Sequence, residues 1–565
     1  MLGMMMDQPL LISSLIEHAA RFHGDTEVVS READRSIFRY TYAEAAARAK
    51  RIAKVIARLG AEPGDRIGTL AWNSHRHFEL YYGISGTARV LHTINPRLFP
   101  DQLRYIINHA ADRILFLEPS FVGLVEKLAP ALTTVRHYVI MAPRALMPPT
   151  GLPGALCYEE LIEAETPELD WPVIDEQTAS SLCYTSGTTG NPKGALYSHR
   201  STVLHAFGSC AADMLGVSAA DCVLPVVPMF HVNAWGIPYS SALAGAKLVL
   251  PGQHLDGESL CTLFDQERVT LSLGVPTVWL GALKYAEETG KGFSSVKRIV
   301  IGGSAAPPSM IEAFDQKHGV HAVHAWGMTE MSPLGTVAAS KAKHATAAPD
   351  VITHVRCSQG RPSFMVDLKI TDAEGRRLPH DGVAVGNLYV RGPWVVRGYY
   401  NDAEASAEAF DAEGWFKTGD VCAIDPDGYV RITDRSKDVI KSGGEWISSI
   451  DIENIAIAHP GVAEAACIAC SHPKWTERPL LVIVRRPDSD VTRDELIAFY
   501  EGKVAKWWIP DDVAFVDELP HTATGKLQKL KLREAFRDYV LPSALEVDNC
   551  PLDETAAAKR PGERA

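Results

Sequence analysis

The sequence predicts an α/β protein, a large amino-terminal domain of helix-covered parallel sheets followed by a small α+β domain. Three observations carry that reading. From about residue 40 to 430, segments with helical apolar spacing alternate with short strand-like apolar runs, as in parallel strands joined by covering helices. After residues 428–444 the order changes to a short helix, two strand-like runs and another helix. The chain has 565 residues, which at roughly 150 per domain allows about three or four domain-sized units rather than one core.

Taken in order, "MLGMMMDQPLLISSLIEH" reads as an amphipathic helix; it lacks the basic start and unbroken apolar run of a signal peptide. "TYAEAAARAKRIAKVIARLG" has helical spacing and stops at a glycine, and "DRIGTLAWN" and "VLHTI" are short apolar runs between turn signals. "KRIVIGGSAAPPSMIEAFDQKHG" reads as strand, Gly-rich loop and a helix begun by proline. In the carboxyl-terminal part, "SSIDIENIAIAH" opens with Ser448 and Asp451 at capping spacing, and "TRDELIAFYEGKVA" opens with a Thr492/Glu495 box. "VAEAACIAC" and "LLVIVRR" are the strands between them, and the charged run "TDRSKD" at 433–438 is the natural hinge. The last residues, "NCPLDETAAAKRPGERA", hold few large apolar side chains and are expected to be a disordered tail.

Composition removes several classes. Hydrophobic residues make up 46% and charged residues 22%, with a formal charge of −13. That balance excludes a bulk electrostatic hold on nucleic acid or anionic lipid, so an anionic ligand needs a local cluster of donors. No run reaches the roughly 18 apolar residues of a membrane span. The ten cysteines lie mostly in apolar runs, as reduced core residues of a cytoplasmic protein do. "CIAC" at 467–470 has C-x-x-C spacing, but no second Cys/His pair follows it and its setting is a strand.

One segment cannot build a core. "YTSGTTGNPKG" (184–194) packs hydroxyls, glycines and a lysine between two strand patterns. Its glycines let backbone amides converge, Thr185, Ser186, Thr188 and Thr189 add hydroxyls, and Lys193 adds a charge, which suits a polyphosphate. Pro192 and Gly194 break the Walker A pattern. A flexible linker would share this composition, and the loop alone leaves both open.

The loop resembles the phosphate loop of the adenylate-forming superfamily, which includes acyl-CoA synthetases, adenylation domains and luciferases. Six further motifs follow in that family's order: "PMFHVNAWG" (228–236), "GGSAAP" (302–307), "WGMTE" (326–330), "GWFKTGD" (414–420), "DRSKDVIKSGGEWIS" (434–448) and "PHTATGKLQK" (520–529). The resemblance spans about 40 to 535. It implies an AMP-binding domain over 1–435 whose parallel sheets are joined by a distorted barrel, a mobile domain over 436–545 and a tail over 546–565. It also implies attack of a carboxylate on the α-phosphorus of ATP, giving acyl-AMP and pyrophosphate, then displacement of AMP by the thiol of CoA.

Roles follow position by position as the resemblance implies. Thr185 and Glu330 would hold Mg²⁺. Ser186, Gly187, Thr188, Thr189 and Lys193 would cradle phosphates. Gly303, Ser304 and Ala305 would line the nucleotide and acyl pocket, and Trp326, with Gly327, Met328 and Thr329, would meet the adenine. The family often has tyrosine at 326; an indole keeps the stacking face and gives up the phenol. Asp420 and Arg435 would take the ribose, and Lys526 would bridge the carboxylate and α-phosphate during adenylation. Lys437 marks the hinge. Lys441, Gly443, Gly444, Glu445 and Trp446 would serve the thioester step, with the two glycines lining a pantetheine tunnel. "PMFHVNAWG" most resembles the fatty-acyl and 3-methylmercaptopropionyl-CoA ligase branch, in which His231 lies near the reacting carboxylate and Trp235 gates the acyl channel until ATP binds. Gly302, Met331 and Pro333 would complete the acid's site. The family's frequent Gly-Glu-Leu is here "GNL", with Asn387 outside the reacting atoms.

The expected activity is therefore an ATP- and Mg²⁺-dependent acid–CoA ligase, with a homodimer as the family assembly. An adenylating enzyme with another acceptor is the nearest alternative, although no carrier domain follows Lys526. A non-catalytic acyl- or nucleotide-binding protein is the other. Release of AMP and pyrophosphate separates ligation from both an ADP-forming route and a binder.

Overall fold

A computed structural model describes residues 1, 3–185, 191–442, 445–521 and 527–548. The chain divides into two compact units, the first running to Ile432 and the second starting at Thr433, at the head of the charged 433–438 run.

The first unit contains two large sheets. One has seven strands in the order Leu156–Cys157, His137–Ile140, Ile114–Leu117, Arg66–Leu70, Val90–Thr93, Ala179–Tyr184, Gly194–Ser198. Only the last pair is antiparallel, with Tyr184 opposite Gly194. The other has nine strands, and its centre runs Lys247–Leu250, Cys222–Pro225, Leu271–Gly274, Arg298–Ile301, His321–Gly327, all parallel. Continuous apolar runs such as "RIVI" and "ILFL" make these strands because helices bury both faces. A third, antiparallel sheet comprises Asp367–Thr371, Val385–Arg391 and Phe416–Ile424, with Val430–Arg435 completing it as the chain leaves the unit. Asn387 lies in the second of these strands, opposite Thr371 and Val421.

Local signals explain most boundaries. Helix Tyr42–Arg58 begins at Thr41, whose hydroxyl accepts from Glu44 N while the Glu44 carboxylate accepts from Thr41 N. Its buried face is made by Ala45, Ala49, Ile52 and Ile56, on one stripe. The amino-terminal helix is shorter than expected, spanning only Ile12–Phe22. Pro9 keeps the preceding residue out of helical geometry, and Leu10 N is instead taken by Glu176.

Among the described residues the second unit holds a five-stranded sheet, with Thr476–Arg485 between Val462–His472 and Asp512–Phe515 and also meeting Ile440–Ser442, which pairs with Glu445–Ile447. Helix Ser449–Ile457 is capped by the Ser448 hydroxyl accepting from Asp451 N. Helix Arg493–Phe499 carries the Thr492/Glu495 box but stops well before Ala505, because Gly502 turns the chain at φ 74°. Cys467 and Cys470 sit on strand Val462–His472 in two different core clusters, as i and i+3 on a strand must. Burial raises the Cys467 thiol well above its ordinary range and pushes Cys470 up to about 11, so the pair is packing. The nine cysteines among the described residues are all free, and no helix among those residues is long and apolar enough to cross a membrane.

Candidate active site

Ligands of open α/β sheets gather beyond the carboxyl ends of the strands, and the first unit sets most of its sequence-picked residues there. Strand Ala179–Tyr184 leads into Thr185; Arg298–Ile301 leads into Gly302; His321–Gly327 carries Trp326 and Gly327 at its end. The residues therefore converge through sheet order, not sequence proximity.

The phosphate-loop neck is closed by two bonds. Thr185 N donates to Lys193 O at 2.9 Å, and Lys193 N donates to Thr185 Oγ1 at 3.2 Å. Ser186, Gly187, Thr188 and Thr189 lie outside the described residues. The Lys193 ammonium stands 5.0 Å from the centroid of the Tyr399 ring, and the Tyr399 hydroxyl donates to Glu330 Oε1 at 2.8 Å. Lysine and glutamate thus approach one aromatic side chain from two sides. Burial and the Glu330 charge raise the Tyr399 phenol, so it remains a donor at any physiological pH. Sequence reasoning missed Tyr399; the available signal was the aromatic doublet in "GYYN" (398–401), whose two rings pack on two different core clusters.

Glu330 is buried in a short turn, Thr329–Met331. Val396 N donates to its carbonyl at 2.9 Å, and the Tyr197 hydroxyl donates to Thr329 O, which ties the turn to strand Gly194–Ser198 beyond the phosphate loop. The Glu330 carboxylate and the Thr185 hydroxyl are hard oxygen donors of the kind Mg²⁺ takes. That ion binds through one or two carboxylates together with phosphate oxygens. Among the described residues no group of three or more His, Cys, Asp or Glu could hold a metal.

Trp326 and Asp420, two further residues picked from the sequence, touch each other. The indole Nε1–H donates to Asp420 Oδ2 at 3.0 Å, with both residues buried. Asp420 N donates to the Thr418 hydroxyl, and that hydroxyl to Leu388 O, so strand Phe416–Ile424 holds the carboxylate from behind. In place of a phenol, the indole at 326 gives Asp420 a donor that the sequence reading did not foresee. The ring lies so close to Gly335 that a Cβ there would stand 2.7 Å from it. Met331 is fully buried under the same cluster, and Pro333 is buried with its carbonyl accepting from Met328 N. Both hold the turn together from within.

On the acyl side, Trp235 packs against the "GGSAAP" loop. A Cβ on Gly302 would come 2.9 Å from its ring, and Gly303 (φ 83°) lies just beyond. Ala306 N donates to Nε2 of buried His324, which anchors the loop's far end; Ser304 is exposed and Ala305 half-buried. His231 is half-buried one residue before the turn that carries Trp235, with its backbone N–H donating to Pro228 O. Behind the turn, His205 accepts from Leu334 N; burial lowers its imidazole to about 3, so it is a neutral acceptor.

In the second unit, Arg435 and Lys437 are exposed. Lys441 is exposed on strand Ile440–Ser442, and its N–H donates to Glu477 Oε2 at 2.7 Å. Glu445 and Trp446 start the paired strand. Gly443, Gly444 and Lys526 lie outside the described residues.

Comparison with known proteins agrees with the fold. The AMP-binding enzyme family matches residues 15–400, and the AMP-binding enzyme C-terminal domain matches 451–526. A 3-methylmercaptopropionyl-CoA ligase of Ruegeria lacuscaerulensis is 56% identical, over 95% of this chain and 99% of its own. A medium-chain-fatty-acid–CoA ligase of Ectopseudomonas oleovorans is 50% identical, over 97% of this chain and 100% of its own. Among solved structures, the anthranilate CoA ligase AuaEII in complex with anthranoyl-AMP aligns with a TM-score of 0.83 at 26% identity, over 94% of this chain and 98% of that one. A helix-covered pair of parallel sheets, a separate carboxyl-terminal α+β unit and near-full-length relatives leave one assignment: the chain belongs to the AMP-binding enzyme family of AMP-forming acid–thiol ligases.

Proposed function

We propose that this enzyme ligates a short- or medium-chain carboxylic acid with an uncharged tail, a simple fatty acid or a thioether acid such as 3-methylmercaptopropionate, to CoA. The observation that carries the choice of an apolar tail is the acyl side of the site, where the Trp235 ring packs on Gly302 and Val275 lies beside Gly303. Relatives named for 3-methylmercaptopropionate and for medium-chain fatty acids support it. Each methylene buried in such a pocket contributes about 0.8 kcal/mol, so chain length is selected by depth.

A carboxylate is a poor acyl donor, and activation exchanges its unreactive oxygen for AMP. The chain's contribution is to position and neutralise. Lys193 and the loop hydroxyls meet the phosphates. Thr185 and Glu330 hold Mg²⁺, which when bound offsets charge on the phosphate oxygens. Asp420, oriented by the Trp326 indole, accepts from the ribose hydroxyls, and His231 lies beside the acid's carboxylate. Lys526 bridges carboxylate and α-phosphate for adenylation. A swing at Lys437 then withdraws it and brings Lys441, Gly443, Gly444, Glu445 and Trp446 to the thioester step. The two units divide beside that hinge, which supports such a swing. The free, mostly buried cysteines among the described residues support a reducing, cytoplasmic setting, and a homodimer is proposed from the resemblance alone.

The test is a panel of acids from C2 to C16, including 3-methylmercaptopropionate, with ATP, Mg²⁺ and CoA. AMP release should match thioester formation, with the highest kcat/KM among short, medium or thioether acids. A preference for C16 or for aromatic acids would refute the substrate assignment, and ADP release would refute the reaction.

A further inference from the structure

The turn that carries Trp235 has an unusual backbone. Val232, Asn233, Ala234, Trp235 and Gly236 have φ of 49°, 51°, 49°, 55° and 76°, a left-handed turn in which only the last residue is glycine. Left-handed geometry is costly for every L-residue with a Cβ, and a β-branched valine is a true outlier there. Such a run persists only where its surroundings over-determine it. Asparagine tolerates this region best among the four, and the side chain of Asn233 supplies the fastening.

That side chain is buried and uses both ends of its amide. Oδ1 accepts from the Thr93 hydroxyl at 3.2 Å and from the Cys183 thiol at 3.3 Å, and Nδ2 donates to Ser181 Oγ at 3.0 Å. All three partners are buried, on neighbouring strands of the seven-stranded sheet. Ser181 and Cys183 belong to Ala179–Tyr184, the strand that runs directly into Thr185 and the phosphate loop. The amide therefore fastens the Trp235 turn to the stalk of the phosphate loop, while the indole itself rests on Gly302 and Gly303.

We infer that Asn233 is a positioning residue that couples the phosphate loop to the Trp235 turn, so that nucleotide phosphates at the loop change how readily the acid enters. The inference rests on the reading of Trp235 as the acyl gate. The left-handed turn is the element that would shift, and the Ser181–Asn233–Cys183 bonds are how strand Ala179–Tyr184 reaches it. Loss of the amide should weaken the link between the two ligands more than it weakens either ligand alone.

Acid binding by calorimetry, with and without a non-hydrolysable ATP analogue, measures that link. In the wild type the analogue should tighten acid binding by a factor in the usual coupling range of ~5–150. Asn233→Gly keeps the left-handed backbone and removes the amide. It should bring the factor below about twofold while its affinity for the analogue alone stays within about threefold. Ser181→Ala, which cuts the same bond from the other end, should cause part of that loss, and the double variant should lose no more than Asn233→Gly. Trp235→Ala is run beside them. Coupling kept in both Asn233→Gly and Ser181→Ala but lost in Trp235→Ala would overturn the role of Asn233 and leave the gate standing. Coupling kept in Trp235→Ala, or absent from the wild type, would overturn the gate and the inference with it. Should Asn233→Gly not fold, Ser181→Ala decides alone: a wild-type factor there overturns the proposal.

Discussion

Lys529 offers the sharpest test of how the second unit is held together. Its ammonium is buried and donates to Glu453 Oε1 at 2.7 Å and to the Ser449 hydroxyl, which in turn donates to Asp434 Oδ2. Asp434 also accepts from Ser449 N at 2.9 Å. One cation thus joins helix Lys529–Ala535, helix Ser449–Ile457 and the start of the charged hinge run. Burial pushes both the Asp434 and the Glu453 carboxyls up, and the Lys529 charge pulls them back toward ionisation. Lys529→Gln removes that charge and leaves two buried carboxylates facing each other. Breaking a buried ionic group from one side costs about 3–5 kcal/mol, which for a unit of this size lowers its melting transition by more than about 10 °C. The sign of the pH dependence follows. A carboxyl whose folded pKa is raised contributes stability below its unfolded value and loses it as pH rises through the folded one. In Lys529→Gln both carboxyls are raised further, so the deficit against wild type should be larger at pH 8 than at pH 5, and Lys529→Arg should recover most of it. Thermal melts of the full chain at the two pH values decide the matter. A deficit under about 1 kcal/mol, or one independent of pH, would refute the reasoning.

Three further outcomes are expected. Trp326→Phe keeps the ring face but removes the donor to Asp420. It should cost about 1.5–3 kcal/mol of stability, and saturating ATP should narrow that gap as ribose hydroxyls donate to the same carboxylate; an unchanged gap counts against Asp420 as the ribose acceptor. Lys526→Ala should abolish acyl-AMP formation yet largely spare thioester formation from supplied acyl-AMP, and equal damage to both half-reactions would remove its assigned role. Burial holds the Glu118 carboxyl up at about 7, although it accepts from Ser74 Oγ and Trp72 N. Its raised pKa means wild-type stability falls as pH rises from about 4.5 toward 7 and beyond, so Glu118→Gln should gain on wild type over that window by about 1–3 kcal/mol. Urea titrations at pH 5 and 8 that show a constant difference would contradict this.

Much of the architecture was legible because its signals are local. Helix starts at Ser448 and Thr492 were readable from side chains three residues apart, since a cap and its partner share one turn. The strand–loop–strand reading of 179–198 rested on apolar runs on either side of a glycine-rich segment, and the neck at Thr185 and Lys193 has that form. The early end of helix Arg493–Phe499 and the late start of helix Ile12–Phe22 were not legible. Apolar spacing there persists past the point where a glycine or a proline makes another backbone geometry cheaper.

Sequence by itself determined the family and the alternation of strands and helices, and it singled out the short motifs expected to meet phosphate, metal and thiol. The folded chain alone decided which residues touch: Trp326 with Asp420 across 94 positions, Tyr399 with Glu330 across 69, and Asn233 with Thr93 across 140. The physical reason is that periodicity and capping act within a turn or two of chain. Contacts at the ends of strands depend on the order in which strands line up in a sheet, and no local run of residues encodes that order.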